Sequence, residues 1–300
     1  GKSALAVSLA RKINAEIISL DSMQIYKGMD ILSSQPTKTM RKKIPHHLLH
    51  IVSPEEEFDV VAYRKLALRK VRDIHKRGKT PLCVGGTGLY MSVLIDGIFK
   101  DVKKDERVRK KLYALAEEKG SDFLYTTLKN ADPNAASRIH PHDVRRMVRA
   151  LEVYALTGKP ISELWQKRKG IGEKYEIKIF GLNKDRQALY NAIDARVEKM
   201  FRQGLVKEVK RLLKKKLSRT AIQAIGINEI NGYLEGNYSA ADAKELIKKN
   251  TRHYAKRQLT WFRKDRRIYW VEADKVSPLK EILKAMSVTT AIGGTGKNGL

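Results

Sequence analysis

The chain has 300 residues, 61 Lys and Arg against 33 Asp and Glu, a formal net charge of +28, 42% hydrophobic residues and one cysteine. The lone Cys83 excludes an internal disulfide and a cysteine-rich zinc site, and no run of about 18 apolar residues is present to cross a membrane as a helix. A folded protein this basic repels itself unless it meets a polyanion, so nucleic acid is the leading partner, with a membrane surface or plain lysine richness as the alternatives.

In chain order, residues 4–13 predict an amphipathic helix with Leu5, Leu9 and Ile13 on one face. AEIISL (15–20) reads as a short apolar strand ending at Asp21, and 44–58 as an irregular, Pro-punctuated stretch. Asp59 caps a predicted helix running to about Arg77, with Val60, Tyr63, Ala67, Val71 and Ile74 inward and Gly78 after its end. TPLCVGG (80–86) is a second buried strand, with a helix from about Leu89. Strands and helices alternating in this way, with continuous apolar strands, predict a parallel α/β sheet. Residues 103–168 lack a strand pattern and predict helices, among them 105–119 and 143–157. YEIKIFGLN (175–183) returns to strand, followed by one long helix over 185–216, a basic helix over 242–264 and a closing strand over 267–274. The expected organisation is a core over 1–102, a helical insertion over 103–170, a second part of the core over 171–285 and a disordered tail over 286–300. No secretory signal is visible, and a cytoplasmic, monomeric protein away from membranes is expected.

Gly1-Lys2-Ser3 ahead of a helix has the form of the last three positions of a G-x-x-x-x-G-K-[ST] phosphate loop. There, backbone N–H groups and a helix N-terminus meet phosphate oxygens, the lysine adds a cation and the hydroxyl ligates Mg²⁺. On these residues alone a chance tripeptide fits as well. If the loop is real, its preceding strand and half its donors would lie ahead of Gly1, and a chain truly starting there is expected to turn over poorly. Asp21, at a strand end, lies at the edge where open parallel sheets bind ligands. It reads either as a general base or as the cap of the next turn. VGGTGLY (84–90) also follows a strand, and its glycines allow close backbone approach or merely make the turn. Arg145, Arg146 and Arg149 cluster on one predicted helix, as a phosphate track or as a solvated face. His46, His47 and His50 have no carboxylate or Cys at ligand spacing, so packing or capping is expected of them rather than metal binding.

Taken together and in order, GKS, DSMQIYKGMD, HHL, GGTGLY, RALEVYALTGKPIS, AIDARVEKM and NTRHYAKRQLTWFR closely resemble the tRNA dimethylallyltransferases, also called tRNA isopentenyltransferases, over roughly residues 1–271. The resemblance implies a P-loop NTPase-like parallel sheet core, its first strand missing from this chain, with an all-helical insertion domain that grips the anticodon stem of tRNA. It implies transfer of a dimethylallyl group from dimethylallyl diphosphate to the exocyclic N6 amine of the adenosine 3′ of the anticodon, releasing diphosphate, with Mg²⁺ as cofactor. Asp21 matches the family's base and Thr87 a threonine near the reacting nucleotide. Gly1, Lys2, Ser3 and Arg257 fall on diphosphate positions, with Ser3 also toward the metal. Asp21, Ser22, Met23, Gln24, Thr87, Arg109, Arg145, Arg146, Arg149, Arg252 and Lys256 fall on positions toward tRNA.

The departures are Arg145 where the family usually has Gln, Ile227 and Asn228 where Tyr and Lys are common, and Gln35 where a lysine is common. Three alternatives remain open at this level. A P-loop nucleotide kinase leaves YAKRQLTWFR and the charge without a role. An adenylate isopentenyltransferase has no use for the basic segment 101–170. A non-catalytic RNA-binding protein has no need of Asp21.

Overall fold

In the computed structural model, which describes residues 2–99, 102–274 and 277–288, the strand Ala15–Leu20 (β1) is buried at all six positions. Burial on both faces is why AEIISL is apolar nearly throughout, as strands of a covered parallel sheet are. Ahead of β1, the helix Lys2–Lys12 (α1) lays Ala6, Val7 and Ala10 against Ala15 and Ile17. After it come a short helix Lys38–Lys43 (α2), a two-residue strand His46–His47 (β2), the helix Val60–Lys76 (α3), the strand Thr80–Gly85 (β3) and the helix Gly88–Ile95 (α4). Asp59 caps α3, accepting bonds from the amides of Val61 and Ala62, and the stripe Tyr63, Ala67, Val71 and Ile74 is buried. Tyr63 donates from its hydroxyl to the Ser19 carbonyl at 3.1 Å, tying α3 to β1. The strands run parallel in the order β2-β1-β3.

The described residues form two compact units, 1–94 with 176–300, and 95–175. The second unit is helical: Glu106–Ala131 (α5), Pro133–Ala136 (α6), Val144–Thr157 (α7) and Ile161–Gln166 (α8) surround a core of Leu124, Leu128, Met147, Val148, Leu151 and Val153. The first unit resumes with the strand Ile179–Asn183 (β4) and the helices Arg186–Arg202 (α9), Leu205–Leu212 (α10), Ile227–Leu234 (α11) and Ala240–Phe262 (α12). It closes with the strand Ile268–Glu272 (β5), parallel to β4, and the helix Pro278–Val288 (α13). Val271 and Ile282 pack with Leu9 of α1, alongside Leu82, Phe180 and Leu182. No helix among the described residues is long and apolar enough to cross a membrane.

The structure corrects the sequence reading at several points. The helix expected over 185–216 is two, because Gly204 adopts φ +96°, a left-handed turn that only glycine takes without strain. The helix expected over 105–119 runs on to Ala131 past a kink at Gly120, φ +84°. The irregular stretch 44–58 contains β2, too short to show a period of two. The strand expected from 175 starts only at Ile179. Among the described residues the parallel strands form a three-stranded and a two-stranded sheet, with β3 and β4 each paired along one edge. α13 continues to Val288, into the first residues of the stretch expected to be a tail, and the rest of that stretch lies outside the described residues.

One charged cluster fixes the start of β1. Glu16 is 2% exposed, and its carboxylate meets Arg77, Lys79 at 2.9 Å and His47 at 2.7 Å. Those bonds, the one from Arg77 foremost, hold the Glu16 carboxyl far below its ordinary value of 4.5 in spite of burial. Because the folded-state value is depressed, the stabilisation is complete above the unfolded value and drains as pH falls through and below it. Glu16→Gln is therefore expected to cost about 2 kcal/mol at neutral pH, the half-exposed Arg77 and Lys79 recovering solvation. The deficit against the parent should shrink as pH is lowered below about 4.5, read as urea midpoints across pH. An unchanged deficit between pH 7 and 3 would contradict the ion-pair account.

Candidate active site

The register of β1 on β3 builds the site. Leu20 lies opposite Gly85, so Asp21-Ser22 and Gly86-Thr87 leave the sheet side by side at its carboxyl edge, where parallel sheets bind ligands. Two bonds lock the ends together: Thr87 N–H donates to the Leu20 carbonyl at 3.0 Å, and Ser22 N–H donates to Thr87 Oγ1 at 3.1 Å. Asp21 Oδ1 accepts from the amides of Met23 at 2.9 Å and Gln24 at 3.4 Å. The capping role is thus real and uses one oxygen. Among the described residues, Oδ2 accepts no hydrogen bond.

Around that carboxylate stand two cations. Lys2, at the N-terminus of α1, keeps solvent-accessible surface, yet its ammonium is crowded enough that desolvation lowers its pKa, with Asp21 opposing and Arg196 adding repulsion. Arg196, on α9, is lowered by the same crowding, again with Asp21 opposing. Two positive charges and one negative there leave a net positive field that suits a polyanionic group. Ser3 follows Lys2 on α1, half-buried, and Gly1 lies outside the described residues.

Helix α12 covers the other side. Tyr254, Gln258 and Trp261 fall at i, i+4 and i+7, one helix face, and Gln258 and Trp261 meet Gly86 and Gly88 after β3. Gln258 donates to the Gly86 carbonyl at 2.7 Å. Burial raises the Tyr254 hydroxyl above its ordinary value, with the Asp21 charge adding to the effect. The Trp261 indole packs on Gly88, where a Cβ would lie 2.2 Å from its Nε1. Arg257 is exposed, 5.7 Å over the Tyr254 ring.

The remaining expected residues are placed differently. Gln24 is held inside its loop, accepting from Ser19 Oγ at 2.9 Å, while its carbonyl accepts from Gln35 at 2.7 Å. Met23 is half-exposed. Arg252 is engaged by Asp194 at 2.7 Å, whereas Lys256 is exposed. In the helical unit, Arg149 bonds the fully buried Glu152 at 2.7 Å and the Val102 carbonyl at 2.9 Å. Arg109 lies 4.0 Å from that same carboxylate. These two cations stabilise a buried charge within their own unit. Arg145 and Arg146 are exposed, Arg146 pairing with Asp143 at 3.3 Å. His47 is spent on Glu16, and no group of three or more His, Cys, Asp or Glu among the described residues is arranged to hold a metal ion.

The sequence reading missed Arg196, Tyr254, Gln258 and Glu208. Arg196 lies inside AIDARVEKM, where only the electrostatic influence of Asp21 marks it out. Glu208 accepts from the amides of Asp30, Ile31 and Leu32 at 2.8–3.1 Å and so fixes the loop that continues from Asp21. Its signal was an acidic residue on the buried side of a short amphipathic helix.

The family model described as IPP transferase matches residues 24–265. A tRNA dimethylallyltransferase of Carboxydothermus hydrogenoformans is 48% identical over 92% of this chain and 90% of that protein. One of Thermotoga neapolitana is 45% identical over 96% and 94%. Among solved structures, the full-length tRNA isopentenylpyrophosphate transferase of Bacillus halodurans superposes with a TM-score of 0.70 at 38% identity, over 97% of this chain and 92% of that one. A eukaryotic dimethylallyltransferase acting on tRNA gives 0.76 at 29% identity, over 99% and 78%.

The β1–β3 contact is the most exacting part of the site. A Cβ at Gly85 would lie 2.4 Å from the backbone carbonyl of Leu20, which no side-chain rotation relieves. Gly85→Ala is expected to cost about 2–3 kcal/mol and to lower turnover further than the lost stability explains, because the strand ends part. Thermal unfolding together with turnover below the transition would measure both; an unperturbed Tm would overturn the claim.

Proposed function

This chain belongs to the IPP transferase family, the tRNA dimethylallyltransferases, and on that premise we propose how its residues divide the work of the reaction. The chain is an enzyme that transfers a dimethylallyl group to an adenosine of tRNA. We take the acceptor to be the N6 amine of the adenosine 3′ of the anticodon, the donor to be dimethylallyl diphosphate and the second product to be diphosphate. The adenine amine is a poor nucleophile, since its lone pair is delocalised into the ring. Asp21, through the oxygen not used in capping, takes the proton as the carbon–nitrogen bond forms. Such a base contributes on the order of 10²–10⁴-fold. Thr87, bonded to the Ser22 amide, offers its hydroxyl to the purine beside it.

As the allylic carbon–oxygen bond breaks, negative charge gathers on the leaving diphosphate. Lys2, Arg196 and the N-terminus of α1 supply fixed positive potential where that charge develops, with Arg257 exposed near Tyr254 as a further phosphate contact. Family membership implies a divalent metal. With no group of three or more acidic, histidine or cysteine ligands among the described residues, the Ser3 hydroxyl would suit a Mg²⁺ that brings most of its ligands with diphosphate and water. Such an ion supplies charge neutralisation to the leaving group.

Around the substrate RNA, Ser22, Met23 and Gln24 form the loop wall. In the helical unit the exposed Arg145 and Arg146, and in the other unit the exposed Lys256, offer cations to tRNA phosphates, while Arg109, Arg149 and Arg252 are held by carboxylates. We take the protein to be a monomer, and the tRNA substrate with a free Cys83 supports a cytoplasmic setting.

The observation that carries this reading is the place of Asp21 at the carboxyl edge of β1, next to the Ser22–Thr87 bond, with Lys2 and Arg196 close enough to feel its charge. Asp21→Asn tests it cleanly, because the amide oxygen retains the bonds from Met23 and Gln24. With labelled dimethylallyl diphosphate and tRNA, the variant is expected to lose about 10²–10⁴-fold in kcat while tRNA binding stays within about threefold. Arg196→Gln is expected to act on the other substrate, raising KM for dimethylallyl diphosphate by about tenfold or more. Retention of more than a tenth of parental kcat by Asp21→Asn would remove the base from this role.

A further inference from the structure

We propose that Ser19 and Gln24 form an internal clasp that sets the orientation of Asp21, so that the Gln24 side chain serves the reaction as a positioning group inside the loop that walls the substrate. The proposal rests on the reading of Asp21 as the base, and the hydrogen bonds of residues 19–24 carry it.

Ser19 places a hydroxyl in a strand buried at all six positions, and is itself 3% exposed. A polar group so placed needs partners within the protein. Tyr63, donating to the Ser19 carbonyl at 3.1 Å, anchors its backbone. The hydroxyl accepts from Asp21 N–H at 3.3 Å and donates to Gln24 Oε1 at 2.9 Å. A backbone N–H can only donate, so the serine proton is the one directed to Gln24. The atom that faces Ser19 is therefore the amide oxygen, and the amide nitrogen donates to the Ser33 carbonyl at 3.4 Å. Turned the other way, the amide would set its oxygen against that carbonyl, two acceptors with no proton between them.

The main chain of Gln24 is fixed as well. Its carbonyl accepts from His50 N–H at 3.1 Å and from Gln35 Nε2 at 2.7 Å. Its N–H donates to Asp21 Oδ1 at 3.4 Å. Every polar atom of Gln24 is thus engaged within the chain. The bonds close a circuit: Ser19 Oγ holds the Asp21 amide and the Gln24 side chain, and the Gln24 amide returns to the Asp21 carboxylate. With Met23 N–H also on Oδ1 at 2.9 Å, the plane of that carboxylate is set by where residues 23 and 24 sit. The direction of Oδ2, the oxygen left for the proton, follows from it.

The test uses the full chain with tRNA and dimethylallyl diphosphate, measuring kcat, KM and tRNA affinity separately. Ser19→Ala removes the hydroxyl, and Gln24→Met keeps the length of the side chain while removing its polar atoms. Each is expected to lower kcat by about tenfold, a loss that a displacement of about 1 Å at a reacting group can produce. KM for dimethylallyl diphosphate and the tRNA dissociation constant are expected to stay within about twofold of the parent, as befits a group that acts on geometry alone. The double variant is expected to lose little more than either single one, because both remove the same bond. In an Asp21→Asn background, Ser19→Ala is expected to lower the residual single-turnover rate by less than about twofold, the base it orients being gone. Gln24→Met with parental kcat and tRNA binding weakened by about tenfold would give that side chain a contact with tRNA and overturn the proposal. Parental kcat in both single variants would overturn it too, as would equal losses from Ser19→Ala in the parent and Asp21→Asn backgrounds. Retention of most of the parental kcat by Asp21→Asn would instead remove the reading of Asp21 on which the proposal rests, and that single variant tells the two failures apart.

Discussion

The contact on which the site depends is between two backbones, Gly85 of β3 against the carbonyl of Leu20 in β1. It is closer than any side chain at position 85 permits. A parallel pair normally holds its strands at a spacing set by the ladder, and side chains then fan out from both edges. Here the missing Cβ lets the exit of β3 fold over the end of β1, so Thr87 lands on the amide of Ser22 rather than beyond it. Everything polar at the site follows. The Asp21 turn begins one residue after Leu20, and the cations on α1 and α9 act on a carboxylate whose place is fixed by the sheet.

Carboxylates carry much of the internal architecture of this basic chain. Glu16 gathers Arg77, Lys79 and His47 at the start of β1. Glu208 gathers three successive backbone amides of the loop after Asp21. Glu152, fully buried, gathers Arg149 and the Asp105 amide in the helical unit. A buried charge is costly unless its lone pairs are filled, and each of these three is filled by several donors. Removing one therefore unpairs a group of partners at once. That makes these glutamates sharp determinants of local geometry even where their net contribution to stability is modest.

The sequence disclosed the parts of the fold that announce themselves within a few residues. AEIISL and TPLCVGG are apolar because both faces of those strands are covered, and the Asp59 cap with its Tyr63–Ile74 stripe needs only local chemistry. β2 was invisible because two residues have no periodicity, and the break at Gly204 was hidden by an apolar stripe that continues across it. At the site, motifs marked Asp21 and Thr87, since strand-end carboxylates and glycine turns are legible in one dimension. Arg196 and Tyr254 were not, because what distinguishes them is proximity to a carboxylate more than a hundred residues away in sequence. For the same reason Arg149 and Arg252 looked like free cations in the sequence. Their acidic partners, Glu152 and Asp194, carry no mark of pairing until the helices are packed.

That division between spent and exposed cations bears on how an RNA substrate is held. With Glu16, Glu152 and Glu208 buried, the solvent-facing charge is richer in Lys and Arg than the composition suggests, and Arg145, Lys256 and Arg257 belong to that exposed set. Contacts of exposed cations with phosphates give affinity that falls steeply with salt and position the nucleic acid without identifying a base. On the proposed division of roles, choice of the adenosine falls to the directional groups at Asp21 and Thr87. Affinity and selectivity would then reside in different residues: one set spread over the surface and tolerant of single substitutions, the other fixed by a two-strand register in which one added methyl is already too many.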